Sequence, residues 1–332
     1  MDALAVGIDD GYAMTKIALA TGQLLAVRSC GRIGGAQVTS VNGAETGIAE
    51  YASEGQRIAV GVPAGDPTTF DEYPFSPLNR AIVQHALLAA GLSGRSLHAV
   101  SGLPVARFYH ADGQRRDEVI ARKTASLKIG VEPLDGRAPA GIASHDVIPE
   151  ALAAWYDHVI LEEEASVRLD EDRVKAPLAI VDIGGRTTDF VVVADEKLWH
   201  QSSGSITCGL LDLRRQVADV ICATHDLESI SDGAIDQALA EGRVRLFGKT
   251  QDVAVLVRDA RQQLIARIEQ ETQRRLGRGA ELERVLFVGG GSVVLADAIR
   301  DWFPNQTIAA HPAFANARGM LKYQRYVGSE SA

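Results

Sequence analysis

Two stretches decide the reading of this chain: Val6-Gly7-Ile8-Asp9-Asp10-Gly11-Tyr12-Ala13-Met14-Thr15-Lys16 and Ile180-Val181-Asp182-Ile183-Gly184-Gly185-Arg186-Thr187-Thr188-Asp189-Phe190. In each, an apolar run ends in aspartate, glycine makes a turn, and a second apolar run returns (Ile17 to Ala20, Phe190 to Val193). That pattern spells a β-hairpin. Asp9 and Asp182 stand at equivalent places, 173 residues apart. Two similar domains facing each other across a cleft follow, and such clefts are where ligands commonly sit.

The rest of the chain agrees with an α/β architecture. Ile82, Val83, Ala86, Leu87 and Ala90 recur at helical spacing before Gly91, a C-cap signal, and Leu97 to Val100 reads as a buried strand. Asp117 to Leu127 reads as a charged helix. Asp146-Val147-Ile148 reads as a short strand, with Pro149 in the first turn of a helix beginning near Glu150. The acidic stretch from Glu162 to Asp172 is expected to be solvated and to mark a domain boundary. Leu210, Leu213, Val217 and Ile221 form one helical stripe, and Val253, Leu256, Val257, Ala260, Leu264 and Ile268 a longer one. Val285 to Val288 is an expected strand, Gly289-Gly290-Gly291 a turn, and Val294 to Ile299 a helix. The segment 61–77, with four prolines and two glycines, is expected to be an extended loop.

A length of 332 residues implies about two domains at roughly 150 residues each. Apolar residues make up 46% and charged residues 23%, which excludes disorder. Thirty-four Lys and Arg against 43 Asp and Glu leave a net charge of −9, which argues against a broad basic face for nucleic acid or anionic lipid. Cys30, Cys208 and Cys222 lack metal-ligand spacing and are read as reduced and mostly buried. The eight histidines show no HExxH spacing, and Arg274, Arg275 and Arg278 are expected at a solvated helix end. Met1-Asp2 runs straight into a strand pattern, and no apolar stretch approaches the roughly 20 residues that span a bilayer, so a cytoplasmic protein is expected.

In the first hairpin the turn from Gly11 can offer backbone N–H groups to phosphate oxygens, and Lys16 adds a cation. Asp9, at the strand end, suits a hard cation such as Mg²⁺, held largely through its waters. An ordinary hairpin with a surface lysine would look the same. In the second loop Gly184 and Gly185 permit close backbone approach, Thr187 and Thr188 supply hydroxyls, and Asp182 can face the same metal. The two loops together are what chance does not explain. Gly289-Gly290-Gly291-Ser292 follows a buried strand and lets a base or ribose lie against bare backbone. It is neither GxGxxG nor GxxxxGK[ST], so neither a Rossmann fingerprint nor a P-loop is present. Glu150, just past Val147-Ile148-Pro149, could orient or deprotonate an attacking water, or merely sit as an acid at a helix N-terminus.

Residues 6–16, 180–190 and 286–299 resemble the phosphate-1, phosphate-2 and adenosine motifs of the actin-like ATPase superfamily, and within it the plasmid-segregation actins of the ParM/StbA type. Residues 75–92, 101–123 and 147–157 resemble further family stretches, as does the closing segment around Arg318-Gly319-Met320. The resemblance implies a two-domain actin-like fold of duplicated RNase H-like domains: domain I at 1–163 plus 314–332, domain II at 164–313. It implies ATP, with GTP as the alternative, and Mg²⁺ in the cleft. Asp9 and Asp182 would hold the metal; Asp10, Gly11, Tyr12, Thr15 and Lys16 would bind phosphates, as would Gly184, Gly185, Arg186 and Thr187. Gly289, Gly290, Gly291 and Ser292 would cradle adenosine, and Glu150, with Asp182, would serve catalysis by positioning water. Two positions depart from the pattern: Tyr12-Ala13-Met14 replaces small polar residues, leaving Thr15 as the hydroxyl, and Arg186 stands where threonine is common.

The implied function is a polymerising ATPase, adding head-to-tail to copies of itself and joined to a plasmid centromere site through a ParR-like DNA-binding adaptor. No direct nucleic-acid or membrane contact is expected, since neither Met1-Asp2-Ala3 nor the tail from Tyr326 to Ala332 offers an amphipathic anchor. An MreB/FtsA-like scaffold and a small-molecule kinase on the same core are the alternatives. The proline-rich segment 61–77 is the expected longitudinal contact, with Tyr73 and Phe75 as the side chains whose replacement would test it.

Overall fold

The chain enters through β1 (Leu4–Asp10), turns at Gly11 to Ala13, and returns as β2 (Met14–Leu19) and β3 (Leu24–Arg28). Asp9 lies opposite Lys16 and Asp10 opposite Thr15, so the strand-end carboxylates are placed by hairpin register. β4 (Gly31–Ile33), β5 (Ala49–Ser53) and β6 (Gln56–Val60) join the later β8 (Glu132–Pro133) in a small antiparallel sheet. The structure, a computed structural model, describes residues 3–41, 47–163 and 166–328; the Met1-Asp2 and Ser329 to Ala332 ends, and the expected boundary at Glu164, lie outside that range.

α1 (Pro77–Ala89) starts where Ser76 accepts the Asn79 N–H, with Pro77 in the first turn. It stops at Gly91, whose positive φ lets the Leu92 N–H reach the Leu87 carbonyl at 3.1 Å, while the Gly91 N–H reaches that of Leu88 at 3.0 Å. β7 (Ser96–Leu103) then lies parallel to β1, followed by α2 (Val105–Phe108), α3 (Asp117–Ser126) and β9 (Gly141–Pro149), parallel to β7. α4 (Leu152–Val159) leads into the hairpin of β10 (Ile160–Glu163) and β11 (Ser166–Leu169), then α5 (Glu171–Lys175).

The second half repeats the plan. β12 (Leu178–Ile183) pairs antiparallel with β13 (Thr188–Ala194), which pairs with β14 (Lys197–Leu198) and β15 (Gly204–Ile206). α6 (Leu210–His225), α7 (Asp232–Glu241), a hairpin of β16 (Arg243–Leu246) and β17 (Lys249–Asp252), and α8 (Ala254–Leu276) follow. β18 (Arg284–Val288) is parallel to β12; α9 (Gly289–Val294) leads to β19 (Gln306–Ile308), parallel to β18. The two main sheets run β3-β2-β1-β7-β9 and β14-β13-β12-β18-β19, two antiparallel and two parallel pairings in the same order. The two halves thus follow one plan, as the expected duplication requires. β12 is buried along its whole length, as a central strand covered on both faces must be.

α10 (Ala315–Tyr326) returns to the first half. A Cβ on Gly319 would fall 1.6 Å from the Ala153 carbonyl oxygen, and one on Gly7 would fall 2.0 Å from that of Ala317. Those two glycines let the last helix rest directly on α4 and β1.

Several expectations are corrected. Pro149 ends β9 rather than opening a helix, because the chain makes a tight turn at Glu150-Ala151 before α4. The acidic stretch from Glu162 is solvated as expected, with Ser166–Leu169 exposed throughout, but its described residues form a hairpin and α5 rather than irregular chain. The helix after β18 begins on the glycines themselves, at Gly289, and ends at Val294; Leu295 to Ile299 is a turn. The proline-rich segment closes in a 3₁₀ turn that buries Tyr73 completely and leaves Phe75 8% exposed. Both rings belong to the core, so they form no longitudinal contact surface. Arg275 is not solvated: it lies 5.1 Å over the Phe190 ring and donates to Glu271 and the Ser203 carbonyl.

Candidate functional site

The turns of the two equivalent hairpins meet. A Cβ on Gly185 would lie 2.5 Å from the Ala13 Cβ, so only glycine lets the second turn come this close to the first. The Gly184 and Gly185 carbonyls accept from the Leu210 and Leu211 N–H groups at 3.1 and 2.7 Å, tying the loop to the start of α6. The cavity between the turns is lined by Asp9, Gly11, Tyr12, Ala13, Met14, Lys16, Glu150, Asp182, Gly184 to Thr187, Leu210, Gly290 and Asn316.

Of the residues singled out from sequence, Asp9, Gly11, Tyr12, Lys16, Glu150, Asp182, Gly184, Gly185, Arg186, Thr187 and Gly290 are thus brought together. Others turn away. Asp10 forms a buried ion pair with Lys123, whose ammonium also donates to the Pro74 carbonyl at 3.0 Å. The Thr15 hydroxyl is 3.1 Å from that of Ser29 and the Ser292 hydroxyl donates to the Val288 carbonyl. Thr188 bonds the Cys208 carbonyl at 2.7 Å. Their side chains brace the loops from behind. Gly289 and Gly291 press α9 onto β12: Cβ atoms there would lie 2.3 Å from the Asp182 Oδ1 and 2.2 Å from the Ile183 Cγ2, whereas Gly290 faces open space.

Glu150 sits on a strained turn. Its N–H bonds the Leu103 carbonyl at 2.8 Å, and the next residue, Ala151, has φ +61°, a region an alanine rarely adopts. A Cβ on Gly102 would stand 2.7 Å from the Glu150 Cγ, so the acid lies across bare backbone. The turn is held by Asn316, whose Oδ1 accepts the Ala151 N–H at 3.1 Å while its Nδ2 donates to Asp182 Oδ2 at 2.6 Å. One amide therefore links the Glu150 turn to the second hairpin's aspartate. Sequence reading missed Asn316, Gly102, Asp71 and Asp189; Asn316 stands close to the Arg318-Gly319-Met320 segment, the nearest signal there was.

The electrostatics are those of crowded acids. Burial, then the charges of Asp189 and Asp9, push Asp182 up to about 7. Burial, with Asp189, Asp9, Asp182 and Asp10 around it, raises Glu150 well above the carboxylate range. Lys16 donates to Asp9 at 2.7 Å. Burial pulls its ammonium down, but Asp9, Asp182 and Glu150 outweigh this and raise it. Asp189, 1% exposed, accepts from the Val105 N–H at 2.9 Å and from Ser205. Oxygen donors with a surplus of negative charge suit a divalent cation. Asp9 and Asp182 are the carboxylates that could hold one, and among the described residues no three His, Cys, Asp or Glu side chains converge.

Arg186 spans the cleft. Its guanidinium lies 4.9 Å from the Tyr12 ring centre, donates to the Tyr12 hydroxyl at 3.2 Å and pairs with Asp71 at 2.7 Å. The two positions that depart from the resembled motifs therefore contact each other. The cavity measures about 80 Å³, below the roughly 300 Å³ of an ordinary small-molecule cleft, so a larger ligand needs the two turns to part. A larger surface hollow, about 930 Å³, lies elsewhere, between the β2–β3 turn, the β10–β11 hairpin and α10. Its arginines are already engaged, Arg318 with Asp157 and Arg325 with Glu162.

Comparisons agree with this architecture. Residues 4–160 match the family model described as plasmid segregation protein ParM, N-terminal, and residues 180–301 that of archaeal actin homologue MreB-like, C-terminal. A ParM from a 15-stranded filament of Clostridium botulinum superposes with a TM-score of 0.75 at 17% identity, covering 98% of this chain and 99% of that one. An archaeal actin homologue superposes at 0.73 and 19% identity, covering 96% and 98%; its complex with ADP does so at 0.70 and 19%, covering 96% and 97%. No match is found among curated protein sequences. Among the described residues no helix is long and apolar enough to cross a membrane.

Proposed function

We propose that this chain, an actin-like protein by fold, is a polymerising ATPase that binds ATP and Mg²⁺ between its two hairpins and drives plasmid segregation through a DNA-binding adaptor. The observation that carries the reading is the meeting of the Gly11–Ala13 and Gly184–Thr187 turns above Asp9, Asp182 and Glu150. The ADP complex and the filament among the structural neighbours support it.

Lys16, and Arg186 once released from Asp71, would supply cations to the phosphates, and Gly290 would give the base and ribose bare backbone to lie on. Mg²⁺, when bound, supplies charge neutralisation on the phosphates. Asp9 and Asp182, one from each hairpin, would hold it through water, and a ligand held by both hairpins would favour the closed arrangement of the domains. Glu150, fixed by Asn316 and Gly102, orients the attacking water and accepts its proton. Burial and then the surrounding acids raise its carboxyl, so cations entering the cleft would favour its deprotonated, basic form. Deprotonation is thereby coupled to a filled cleft. The closed form adds to the next copy through unlike surfaces, which yields a filament rather than a ring, and hydrolysis loosens it.

The deciding experiment is light scattering after adding Mg²⁺-ATP, with phosphate release followed in parallel. Wild type should rise and then decay as ATP is consumed. Glu150→Ala should assemble but release phosphate at least about a hundredfold more slowly, leaving persistent polymer. No assembly at any protein concentration would overturn the reading. The MreB-like match of the second half favours a second reading, a cytoskeletal scaffold. Polymer whose lifetime is indifferent to Glu150→Ala would decide for it.

A further inference from the structure

The β16–β17 hairpin takes no part in the nucleotide cleft, and its tip is costly. The two-residue turn is Phe247-Gly248, with φ of +49° and +75°. Such a turn favours Asn, Asp or Gly at its first position, and a bulky aromatic there is a steric outlier. Phe247 is also 78% exposed. It contributes nothing to the core, because the hairpin is anchored by Val244, fully buried, and Leu246, packed against the second domain's interior. A residue unfavourable for both backbone and solvation, and idle in the fold, is explained by contact with something else.

Its flanks point to the chemistry of that contact. Arg243, Arg245 and Lys249 are all exposed, and among the described residues none forms an ion pair or side-chain hydrogen bond. Arg28, Arg214, Arg275 and Arg318 are paired, whereas exposed Arg95, Arg267 and Arg278 lack an ion pair among the described residues and have no aromatic knob beside them. The tip is thus an aromatic knob ringed by three unspent cations on a molecule of net charge −9.

We infer that this knob docks into an acidic surface of a second copy of the chain; the inference rests on the self-assembly reading and names one of its contacts. Charge complementarity favours this occupant, since a copy is acidic while the knob is not. An exposed aromatic beside arginines is also what interface anchors are made of. Knob and receptor are different surfaces, so the contact propagates along a filament instead of closing a dimer. Three cations on an acidic chain do not make the basic face that nucleic acid requires, and one phenylalanine without an amphipathic helix is a weak bilayer anchor.

The test is Phe247→Asn, with Arg245→Glu as its charge counterpart. Asparagine suits the left-handed turn, so the variant should melt at or above the wild-type temperature while its critical concentration for Mg²⁺-ATP assembly rises about tenfold. Arg245→Glu should raise it too. A wild type that assembles beside a Phe247→Asn protein with the same critical concentration overturns this inference and leaves the self-assembly reading intact. A wild type that never assembles overturns both. Wild-type binding to phosphatidylserine vesicles or duplex DNA that Phe247→Asn abolishes, with assembly unaffected, would assign the knob to another partner and overturn the second copy as its occupant.

Discussion

At the scale of residues, the cleft is governed by which side chains hold one another across it. Asn316 joins the Ala151 N–H to Asp182, so the acid proposed to handle water and the acid proposed to handle metal are positioned by the same amide. Arg186 is held the other way, by Tyr12 and Asp71, across the space phosphates would fill. The Asp71 side chain is 79% exposed, and ion pairs that open to water contribute about 0.2–1 kcal/mol. Asp71→Asn should therefore release Arg186 toward the phosphates and tighten nucleotide binding by at most about fivefold, measured by titration with a fluorescent ATP analogue. Weaker binding would show that Asp71 holds Arg186 where the ligand needs it. Gly11, Lys16, Gly185 and Thr187 were legible in the sequence because turn glycines and their neighbours mark loops. Asp10, Thr15 and Ser292 stand in the same motifs yet face the protein interior, since strand and helix geometry decides which face a side chain takes.

At the scale of elements, the parallel pair β7–β9 carries Glu150 at its end, and a buried histidine ties it to α3. His145 is 3% exposed; its Nε2 lies 2.8 Å from the Ser101 hydroxyl and its Nδ1 3.1 Å from the Thr124 carbonyl. Burial, aided by the Lys123 charge, lowers its pKa to about 3. With an unfolded value near 6.5, the unfolded chain binds the proton first. The stability this contributes is complete above about pH 6.5 and is lost as pH falls toward 3. His158, lowered to about 4, acts in the same sense, while Asp182, raised to about 7, opposes both by taking up a proton in the folded state. The test is therefore the difference between proteins. On going from about pH 7.5 to about pH 5, wild type should lose about 2 kcal/mol more than His145→Gln in urea unfolding. Equal losses would show that His145 does not titrate between the two states. Elements with clear periodicity, such as α1, α6 and α8, were legible in advance. The β10–β11 hairpin and the start of α9 were not, because acidic composition and a glycine run suggest loops until tertiary neighbours supply the partners.

At the scale of the whole molecule, α10 crosses back onto β1 and α4, so both ends of the chain frame the first sheet while the second half folds between them. A ligand gripping both hairpins stabilises their shared closed arrangement. On the proposed reading, Mg²⁺-ATP at about a hundred times its Kd should add about 2.7 kcal/mol and raise Tm by roughly 4 °C. Chelating the metal, or Asp182→Asn, should remove most of that shift. A shift unchanged by chelator would mean that the nucleotide is held without Mg²⁺.

The sequence by itself determined the duplication: two apolar strands ending in aspartate, glycine turns and returning strands specify two like hairpins, because strand periodicity and turn chemistry are local. The acidic balance and the loop composition were equally open to view. Only the tertiary structure decided that Gly185 abuts Ala13, that Arg186 stacks on Tyr12, that Asn316 reaches Asp182 across 134 residues, and that Tyr73 and Phe75 are core rather than surface. Those facts depend on how two sheets and a returning helix pack, and packing joins residues whose separation along the chain carries no periodic signal.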